Sequence, residues 1–436
     1  MSRRKRQQGN STPPTNLSAF RDEERRWKSR VSPPDLSLAF DVNNIVWDAE
    51  PVDGRLRGVW TSGTGQAEEC WRVELHDLAE TAMGQSRWKG KDRQEEGDYA
   101  IIVPRIPGTR ALDVSALAPQ TCSLTDFHLA GFVFFPRILP ESLQRALVIE
   151  TLSHAAQPNL TSLDNHYELP RGGLWSAWRN GRGEEGVSQK VAAAPAGAST
   201  SASGPSTAET TLEESERLTS ASSAAGATVG ELLPKLRWAN VGWHYNWTTK
   251  LYEFERGQPP LPPLIYQCCR SLARLMPWET IYGAERAADG TETTPTKIDW
   301  KRWREAYEPD AGIVNFVSIS EALKDSLTSH VDLSEVDAVS PLVSLSLGHS
   351  SVFLIGGATR DVPPLPVLLR SGDGLIMSGA GRRAYHALPR VLENTLPDYL
   401  RADCPDPEGL AGEQWKLYGE YLERGARINV NVRSVF

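Results

Sequence analysis

Two histidines and one aspartate have the residue types and the spacing of a metal site. His330 and Asp332 are separated by one residue, and side chains two apart in a β-strand point to the same face. His386 lies further along the chain, so a neighbouring strand must bring it to the first pair. Two histidines and a carboxylate form the facial triad of non-haem Fe(II) oxygenases, which leaves coordination positions open for a co-substrate and O₂. Because this spacing also arises by chance, it predicts an iron site only together with a second motif.

The segment from Arg427 to Arg433 supplies that second motif. Its sequence, RINVNVR, alternates polar and apolar residues throughout, which is typical of a strand with one apolar face and one face of Arg and Asn. Such a polar face is usually solvated. Two arginines on one face also suit a dicarboxylate, because each guanidinium can bind a carboxylate through two parallel hydrogen bonds. Beside an iron triad, this second alternative favours an Fe(II)/2-oxoglutarate dioxygenase.

Several further stretches occur in the order found in one known enzyme family. They are GFVFFPRILP (131–140), LPKLRWANVGWHYNW (233–247), AGIVNF (311–316), HVDLSE (330–335), PLVSLSLGHSSVFLIGG (341–357), RSGDGLIMSGAGRRAYHALPRV (370–391) and RINVNVR (427–433). In these stretches the chain resembles the AlkB family, and within it the AlkB-homologue-one type of eukaryotes. The ordered set of HxD, SGD…M…G…R…H and RxNxxxR is far more specific than any one of these motifs.

The resemblance implies one set of residues for Fe(II) and another for the co-substrate 2-oxoglutarate. The implied metal ligands are His330, Asp332 and His386. The implied 2-oxoglutarate-binding residues are Asn315, Arg427, Asn429 and Arg433. Within that set, Arg427 would bind the distal carboxylate, and Arg433 would lie nearer the metal.

The chain departs from the family pattern at two positions of the co-substrate pocket. Val317 stands where the family usually has Tyr, and Asn431 stands where it usually has Thr. The missing tyrosine hydroxyl removes one hydrogen bond, worth roughly 0.5–1.5 kcal/mol. We therefore expect a several-fold higher requirement for 2-oxoglutarate, with catalysis retained.

The aromatic stretch from Trp243 to Trp247 is the predicted substrate lid. Aromatic rings beside such a metal site can stack an extruded or single-stranded base. The expected substrate-binding residues are Trp243, His244, Tyr245 and Glu335. For Trp243 and Trp247, filling the core beside the sheet is an equally good interpretation. His349 lies in a turn between two apolar strands, and we expect no metal role for it.

The resemblance implies oxidative demethylation or hydroxylation of methylated bases in tRNA or DNA. The products would be formaldehyde, CO₂ and succinate, and the process would belong to tRNA modification or DNA repair. Two alternatives on the same fold stay open. One is a protein demethylase or hydroxylase with a histone as partner, and the other is a catalytically weak interaction protein.

The composition limits which binding partners and which cellular compartments we expect for the protein. The net charge is −8 and the pI about 5.6, so nucleic acid would need a local basic patch. Five arginines around His386 could form such a patch or could be scattered surface residues, two equally good interpretations: Arg360, Arg370, Arg382, Arg383 and Arg390. The five cysteines form no CxxC pair, which favours an intracellular protein. The nucleus, the cytoplasm and the mitochondrion are all compatible with the sequence. We do not expect the protein to bind a membrane, and we expect it to be a monomer.

The chain is predicted to contain one catalytic domain with appendages. Residues 1–35 are polar and predicted to be disordered, and residues 36–125 form an extension of unknown role, attached loosely. Residues 126–436 form the catalytic domain, interrupted at 186–230 by a low-complexity insert that should be a flexible loop. Many short strands favour a mainly β fold, and the resemblance makes it a double-stranded β-helix, or jelly roll, with supporting helices. Helices are expected after Pro140, at 262–276 and at 298–307.

Overall fold

Most strands of the protein belong to two sheets that face each other. A computed structural model describes residues 18–52, 55–75, 99–102, 131–190, 226–282, 300–319, 325–332, 334–337, 340–405 and 415–436. The strands are β1 (Ile45–Trp47), β2 (Leu56–Thr61), β3 (Ala67–Glu74), β4 (Tyr99–Ile102), β5 (Phe132–Phe135), β6 (Gly186–Val187), β7 (Ala227–Thr228), β8 (Trp238–Gly242), β9 (Tyr245–Asn246), β10 (Leu251–Tyr252), β11 (Ala311–Ser318), β12 (Leu327–His330), β13 (Leu342–Gly348), β14 (Ser351–Ile355), β15 (Leu365–Leu369), β16 (Gly374–Met377), β17 (His386–Val391) and β18 (Ala426–Arg433). The helices are α1 (Ala19–Lys28), α2 (Glu141–Ser153), α3 (Gly173–Arg179), α4 (Val229–Leu232), α5 (Pro263–Leu275), α6 (Trp278–Tyr282), α7 (Trp300–Ala306) and α8 (Trp415–Glu423).

The major sheet and the minor sheet form the two layers of a jelly roll. The major sheet has the order β1-β2-β3-β4-β5-β16-β13-β18-β11-β8, and the minor sheet has the order β12-β17-β14-β15. One buried cluster joins Phe134 and Leu375 of the major sheet to Ile355 and Val367 of the minor sheet, so apolar side chains fill part of the space between them. The predicted fold class is confirmed.

The alternation in β18 separates two buried environments. Ile428, Val430 and Val432 point outwards and join the apolar cluster that contains the helices. Arg427 and Arg433 point to the opposite face and are 0% and 4% exposed. The polar face of this strand is therefore not solvated, because the minor sheet covers it. This burial agrees with the alternative in which the two arginines line an internal site for a dicarboxylate.

The N-terminal extension is part of both sheets, in contrast to our expectation. Strands β1 to β4 continue the major sheet beyond β5, and Phe40 pairs with Val367 at the edge of the minor sheet. Residues 18–35, expected to be disordered, include helix α1, because its Phe20 and Trp27 bury large aromatic side chains. Residues 1–17 lie outside the described residues.

The ends of the predicted insert are also folded. Strands β6 and β7 pair with each other, and helix α4 begins with a capping box in which Thr228 and Glu231 exchange hydrogen bonds. Val187 and Val229 are buried, which explains why these flanks are ordered although the neighbouring sequence is of low complexity. The remainder of the insert, 191–225, lies outside the described residues.

Other predicted elements appear near their expected positions. The helices expected after Pro140, at 262–276 and at 298–307 are confirmed as α2, α5 and α7. Strand β17 begins at His386, three residues after the end of a 3₁₀ helix at Gly379–Arg383. Among the described residues, every helix is too short or too polar to cross a bilayer.

Candidate metal centre

Two adjacent strands of the minor sheet bring the predicted metal ligands together. His330 ends β12 and lies directly opposite His386, the first residue of β17, and the two ring centroids are 4.3 Å apart. Asp332 lies two residues after His330, just beyond the end of β12. One ligand atom from each of these three residues lies within 4.8 Å of the other two, which is compact enough for one metal ion. It is the one such cluster of His, Cys, Asp or Glu in the described part of the chain.

Backbone carbonyls fix which nitrogen of each histidine faces the metal position. Nδ1 of His330 lies 2.8 Å from the carbonyl oxygen of Thr328, and Nδ1 of His386 lies 3.1 Å from that of Ala384. A carbonyl only accepts, so each Nδ1 carries the proton and each Nε2 keeps its lone pair. Burial lowers the pKa of His386 to about 4, and His330 acts in the same direction. Both effects favour the neutral ring that a metal requires.

Arg433 and Arg382 orient the aspartate ligand. Arg433 Nη1 donates to Asp332 Oδ2 at 3.0 Å, and Arg382 Nη1 is 3.7 Å from the same oxygen. Oδ1 is left on the side of His330, 3.8 Å from its Nε2. Burial alone would raise the pKa of Asp332, but Arg433, the two histidines and Arg382 outweigh it and hold that pKa well below its usual range. The carboxylate is therefore ionised and presents one oxygen to the metal position.

Glu335, expected to bind substrate, belongs instead to this ion cluster. Its side chain has no exposed surface, its Oε1 accepts from Arg433 Nη1 at 2.7 Å, and its Oε2 lies 3.2 Å from Arg382 Nη2. Arg382 is itself 1% exposed and donates from Nε to the Ser340 carbonyl oxygen. With both arginines beside it, the Glu335 carboxylate is directed into the protein. Its position suits orienting Arg433 rather than contacting a substrate.

Arg427 has the surroundings expected of a residue that binds a carboxylate. It is fully buried, and one hydrogen bond, from Nη2 to Ser346 Oγ at 2.9 Å, connects it to the neighbouring strand β13. Its Nε and Nη1 are buried without a hydrogen-bond partner among the described residues. Burial lowers the pKa of Arg427 to about 10, which still leaves it charged at neutral pH. Two unsatisfied donors on a buried cation fit the distal carboxylate of 2-oxoglutarate.

The remaining co-substrate residues share the inner face with Arg427. Asn315 of β11 lies opposite Asn429 of β18, and both are buried. Asn429 donates to Ser344 Oγ at 2.8 Å and to the Leu345 carbonyl oxygen at 3.1 Å. The structure therefore groups all four predicted 2-oxoglutarate residues on one surface. Ser344 and Ser346 were missed, although their alternation with leucine in LVSLSL is a readable signal.

The two departures from the family pattern also face this surface. Val317 lies opposite Arg427, and Asn431 lies opposite Ile313. Val317 packs with Leu388 and Val391 of the minor sheet in a small apolar cluster. A valine at this position closes one side of the pocket with apolar surface and provides no hydrogen bond to a carboxylate.

The predicted lid residues lie in different environments. Tyr245 is half-buried and shares a hydrogen bond with Ser334, two residues after the metal ligand Asp332. His244 is 5% exposed, and burial lowers its pKa, with Arg256 acting in the same direction. Trp243 packs edge-on against Phe254. Tyr245 is therefore the lid residue that the structure brings next to the metal ligands.

Tyr252 is a second aromatic residue at this position, and the sequence interpretation missed it. Its ring lies 5.5 Å from that of Tyr245 across the β9–β10 hairpin. Its hydroxyl is buried without a hydrogen-bond partner among the described residues. The charges of Arg433 and Glu335 shift the pKa of this hydroxyl in opposite directions. Only the pairing of two very short strands places it there.

The five arginines considered for a basic patch mostly bind the protein itself. Arg370 makes two hydrogen bonds to the Asp41 carboxylate, at 2.7 and 2.8 Å. Arg383 donates to the Asp332 carbonyl oxygen at 2.8 Å, and Arg360 donates to that of Ser329 at 2.9 Å. Arg382 and Arg390 are buried. Two of the five therefore cannot contribute to an exposed patch, and the other three already bond to carboxylate or carbonyl oxygens of the protein.

His349 is not one of the three residues of the metal cluster found among the described residues. Its Nε2 lies 3.2 Å from the carbonyl oxygen of Leu422 in helix α8. Burial lowers the pKa of His349, so it is a neutral, hydrogen-bonded structural residue.

Comparisons with known proteins identify the family of the chain. The profile of the 2OG-Fe(II) oxygenase superfamily matches residues 201–433, more than half of the chain. The human nucleic acid dioxygenase ALKBH1 is 35% identical over 215 residues, covering 47% of this chain and 47% of the human protein. The tRNA demethylase abh1 of Schizosaccharomyces pombe is 29% identical over 310 residues, or 70% of this chain and 79% of that protein.

A third relative is the N6-methyladenosine RNA demethylase ALKBH of Cryphonectria parasitica. It is 32% identical over 213 residues, which cover 46% of this chain and 76% of that protein. The matched region spans 47% of the length of human ALKBH1 and 64% of the length of mouse ALKBH1. The chain belongs to the 2OG-Fe(II) oxygenase superfamily, and within it to the AlkB-homologue-one type.

Proposed function

We propose that this protein is an Fe(II)- and 2-oxoglutarate-dependent dioxygenase that demethylates bases in nucleic acid, with methylated tRNA or DNA as substrate. One observation carries the proposal: the triad of His330, Asp332 and His386 lies in the same inter-sheet space as the buried, half-satisfied guanidinium of Arg427. A buried cation with two free donors is costly unless an anion binds there. A metal triad and an anion site together suit a chelating dicarboxylate.

The protein's own residues provide orientation and charge. The two Nδ1–H···O=C bonds hold both imidazoles with Nε2 towards the metal, and Arg433 holds Asp332 Oδ2 so that Oδ1 is available. Arg427 would bind the distal carboxylate of the co-substrate, while Val317 and Leu388 keep water from that side. When bound, iron and 2-oxoglutarate would use O₂ to oxidise a methyl group: one oxygen atom enters the co-substrate, which becomes succinate and CO₂, and the other enters the methyl group, so that a hydroxymethyl group on nitrogen is released as formaldehyde.

The substrate class is supported by the aromatic residues and by the relatives. Tyr245 and Tyr252 stand beside the ion cluster of Asp332, Arg433 and Glu335. The ring centroids of Trp247 and Tyr245 are 5.1 Å apart. The Lys250 ammonium group lies over the Trp247 ring. Such rings can stack an unpaired base. Relatives are named as nucleic acid, tRNA and RNA demethylases, which supports a nucleic-acid substrate.

The test is a product screen with matched histidine variants. The protein is incubated with Fe(II), 2-oxoglutarate and methylated tRNA and DNA oligonucleotides, and loss of methyl groups is followed by mass spectrometry together with succinate. We expect turnover in the unaltered protein and in His349→Ala, and none in His330→Ala. Succinate formation with methylated histone peptides alone would support the protein-demethylase alternative, and no succinate with any substrate would contradict the proposal.

A further inference from the structure

The outer face of the minor sheet is apolar and is covered by a segment far from it in the sequence. Ala387 follows His386 in β17 and therefore points to the opposite face. It forms one buried cluster with Val352, Phe20 and Trp27. Phe20 is fully buried and Trp27 is 2% exposed. We call residues 18–30, which comprise Ser18, α1 and the two residues after it, the strap.

Polar contacts fasten the C-terminal end of the strap to β17 and its surroundings. Arg390 of β17 donates from Nη1 to the Ser29 carbonyl oxygen at 2.6 Å. Arg30 donates to the Ile319 carbonyl oxygen at 3.0 Å and pairs with Glu393 Oε1 at 2.8 Å. Arg390 also bonds to Glu393, at 3.1 Å. A shared carboxylate and two carbonyls thus hold α1 against the sheet.

The other end of the strap contacts backbone next to the metal ligands. The Phe20 N–H donates to the Arg360 carbonyl oxygen at 3.0 Å, and Arg360 donates to the carbonyl oxygen of Ser329, the residue before His330. A Cβ at Gly356 would lie 2.7 Å from the Phe20 ring, so the ring packs against bare backbone. Gly356 in turn donates to the Tyr385 carbonyl oxygen at 2.7 Å, next to His386.

We propose that the strap is a positioning element for the metal site, with Phe20 as its main positioning residue. It supports, from behind, the strand segments that carry both histidines, while no strap residue contacts the ligand atoms themselves. Ligand geometry must be held within about 0.5 Å of the productive arrangement, and small shifts of β12 relative to β17 would change it. The strap lies outside the matched family region 201–433. The inference rests on the metal site of the proposed function.

The test compares two cavity-forming variants of the full-length protein. Phe20→Ala removes the ring behind the metal strands, and Leu147→Ala removes a fully buried side chain of α2 on the outer side of the major sheet. Mn(II) binding is measured by titration, and hydrogen exchange is measured in the metal-free protein. We expect Phe20→Ala to raise the Mn(II) dissociation constant about 10-fold, as loss of support around metal ligands does, and to speed exchange in β12 and β17. Leu147→Ala should change the constant less than about twofold.

Milder variants keep the test decisive. Phe20→Leu should restore most of the metal affinity, and Arg30→Ala should weaken it about threefold without opening a cavity. Equal metal affinity and equal exchange in β12 and β17 for the Phe20 and Leu147 variants would overturn the proposal. If the unaltered protein binds no Mn(II), the metal site itself is contradicted, and the exchange comparison still decides whether the strap supports these strands.

Discussion

The space between the two sheets has an apolar half and a polar half, and both are lined by the same strands. In β13, Leu342 joins the apolar cluster, whereas Ser344 and Ser346 further along the same face bond to Asn429 and Arg427. Leu342 lies directly opposite Arg433, so the boundary runs between adjacent strands. The apolar half can stabilise the sandwich by burial, which leaves the polar half free to hold groups that are costly without a ligand.

The largest expected effect is on turnover and concerns the polar half alone. His386→Ala should reduce succinate formation to background because one of three ligands is lost. Thermal unfolding should show a folded protein, since the apolar half is unchanged. Turnover near the unaltered level, with metal still bound, would remove the triad assignment.

The next variants compare the two halves at similar cost to stability. Glu335→Gln leaves Arg382 and Arg433 without one buried counter-charge and should lower the free energy of unfolding by about 3–5 kcal/mol. Phe134→Ala in the apolar half should cost about 3–5 kcal/mol through its cavity. Only Glu335→Gln should also weaken metal and 2-oxoglutarate binding, as measured by titration. Equal binding losses in the two variants would show that the halves are not separate.

The pH dependence of stability should report on the polar half. The lowered pKa of His386, about 4, means that this histidine binds fewer protons in the folded than in the unfolded protein between about pH 4 and 6.5. Its contribution to the stability of the metal-free protein should therefore fall as the pH decreases through this window, by up to about 3 kcal/mol, while the raised pKa values of Asp310 and Asp373, about 6 and about 7, act in the opposite direction and are shared by the His386→Gln control. Denaturant unfolding at several pH values measures it, and His386→Gln should have a flatter profile. Identical profiles would contradict this assignment.

The smallest expected effect separates binding from folding at Arg427. Arg427→Met removes a charge-assisted bond to 2-oxoglutarate worth roughly 1.5–3 kcal/mol, or about a 10- to 150-fold loss of affinity. The ligand-free protein should become more stable by about 1–3 kcal/mol, because a buried and poorly satisfied cation is removed. Calorimetric titration and denaturant unfolding give the two values. Binding of 2-oxoglutarate within twofold of the unaltered protein would show that Arg427 is not the clamp.

The sequence by itself determined the features that depend on local periodicity. The two-residue spacing of His330 and Asp332 and the alternation in β18 each assign side chains to a face, because a strand repeats every two residues. The low-complexity composition located the insert, although its folded flanks depended on Val187 and Val229 finding a core. The family resemblance, carried by the order of motifs, gave the jelly roll and the co-substrate residues.

Only the tertiary structure decided which side chains meet across the fold. Glu335 pairs with Arg433 98 positions away, and Arg370 binds Asp41 329 positions away. Burial of both faces of β18, the strap behind the metal strands and Tyr252 beside Tyr245 have the same origin. The physical reason is that partners of a buried charge are set by how sheets stack, and a charged residue looks identical in the sequence whether it is solvated or paired inside.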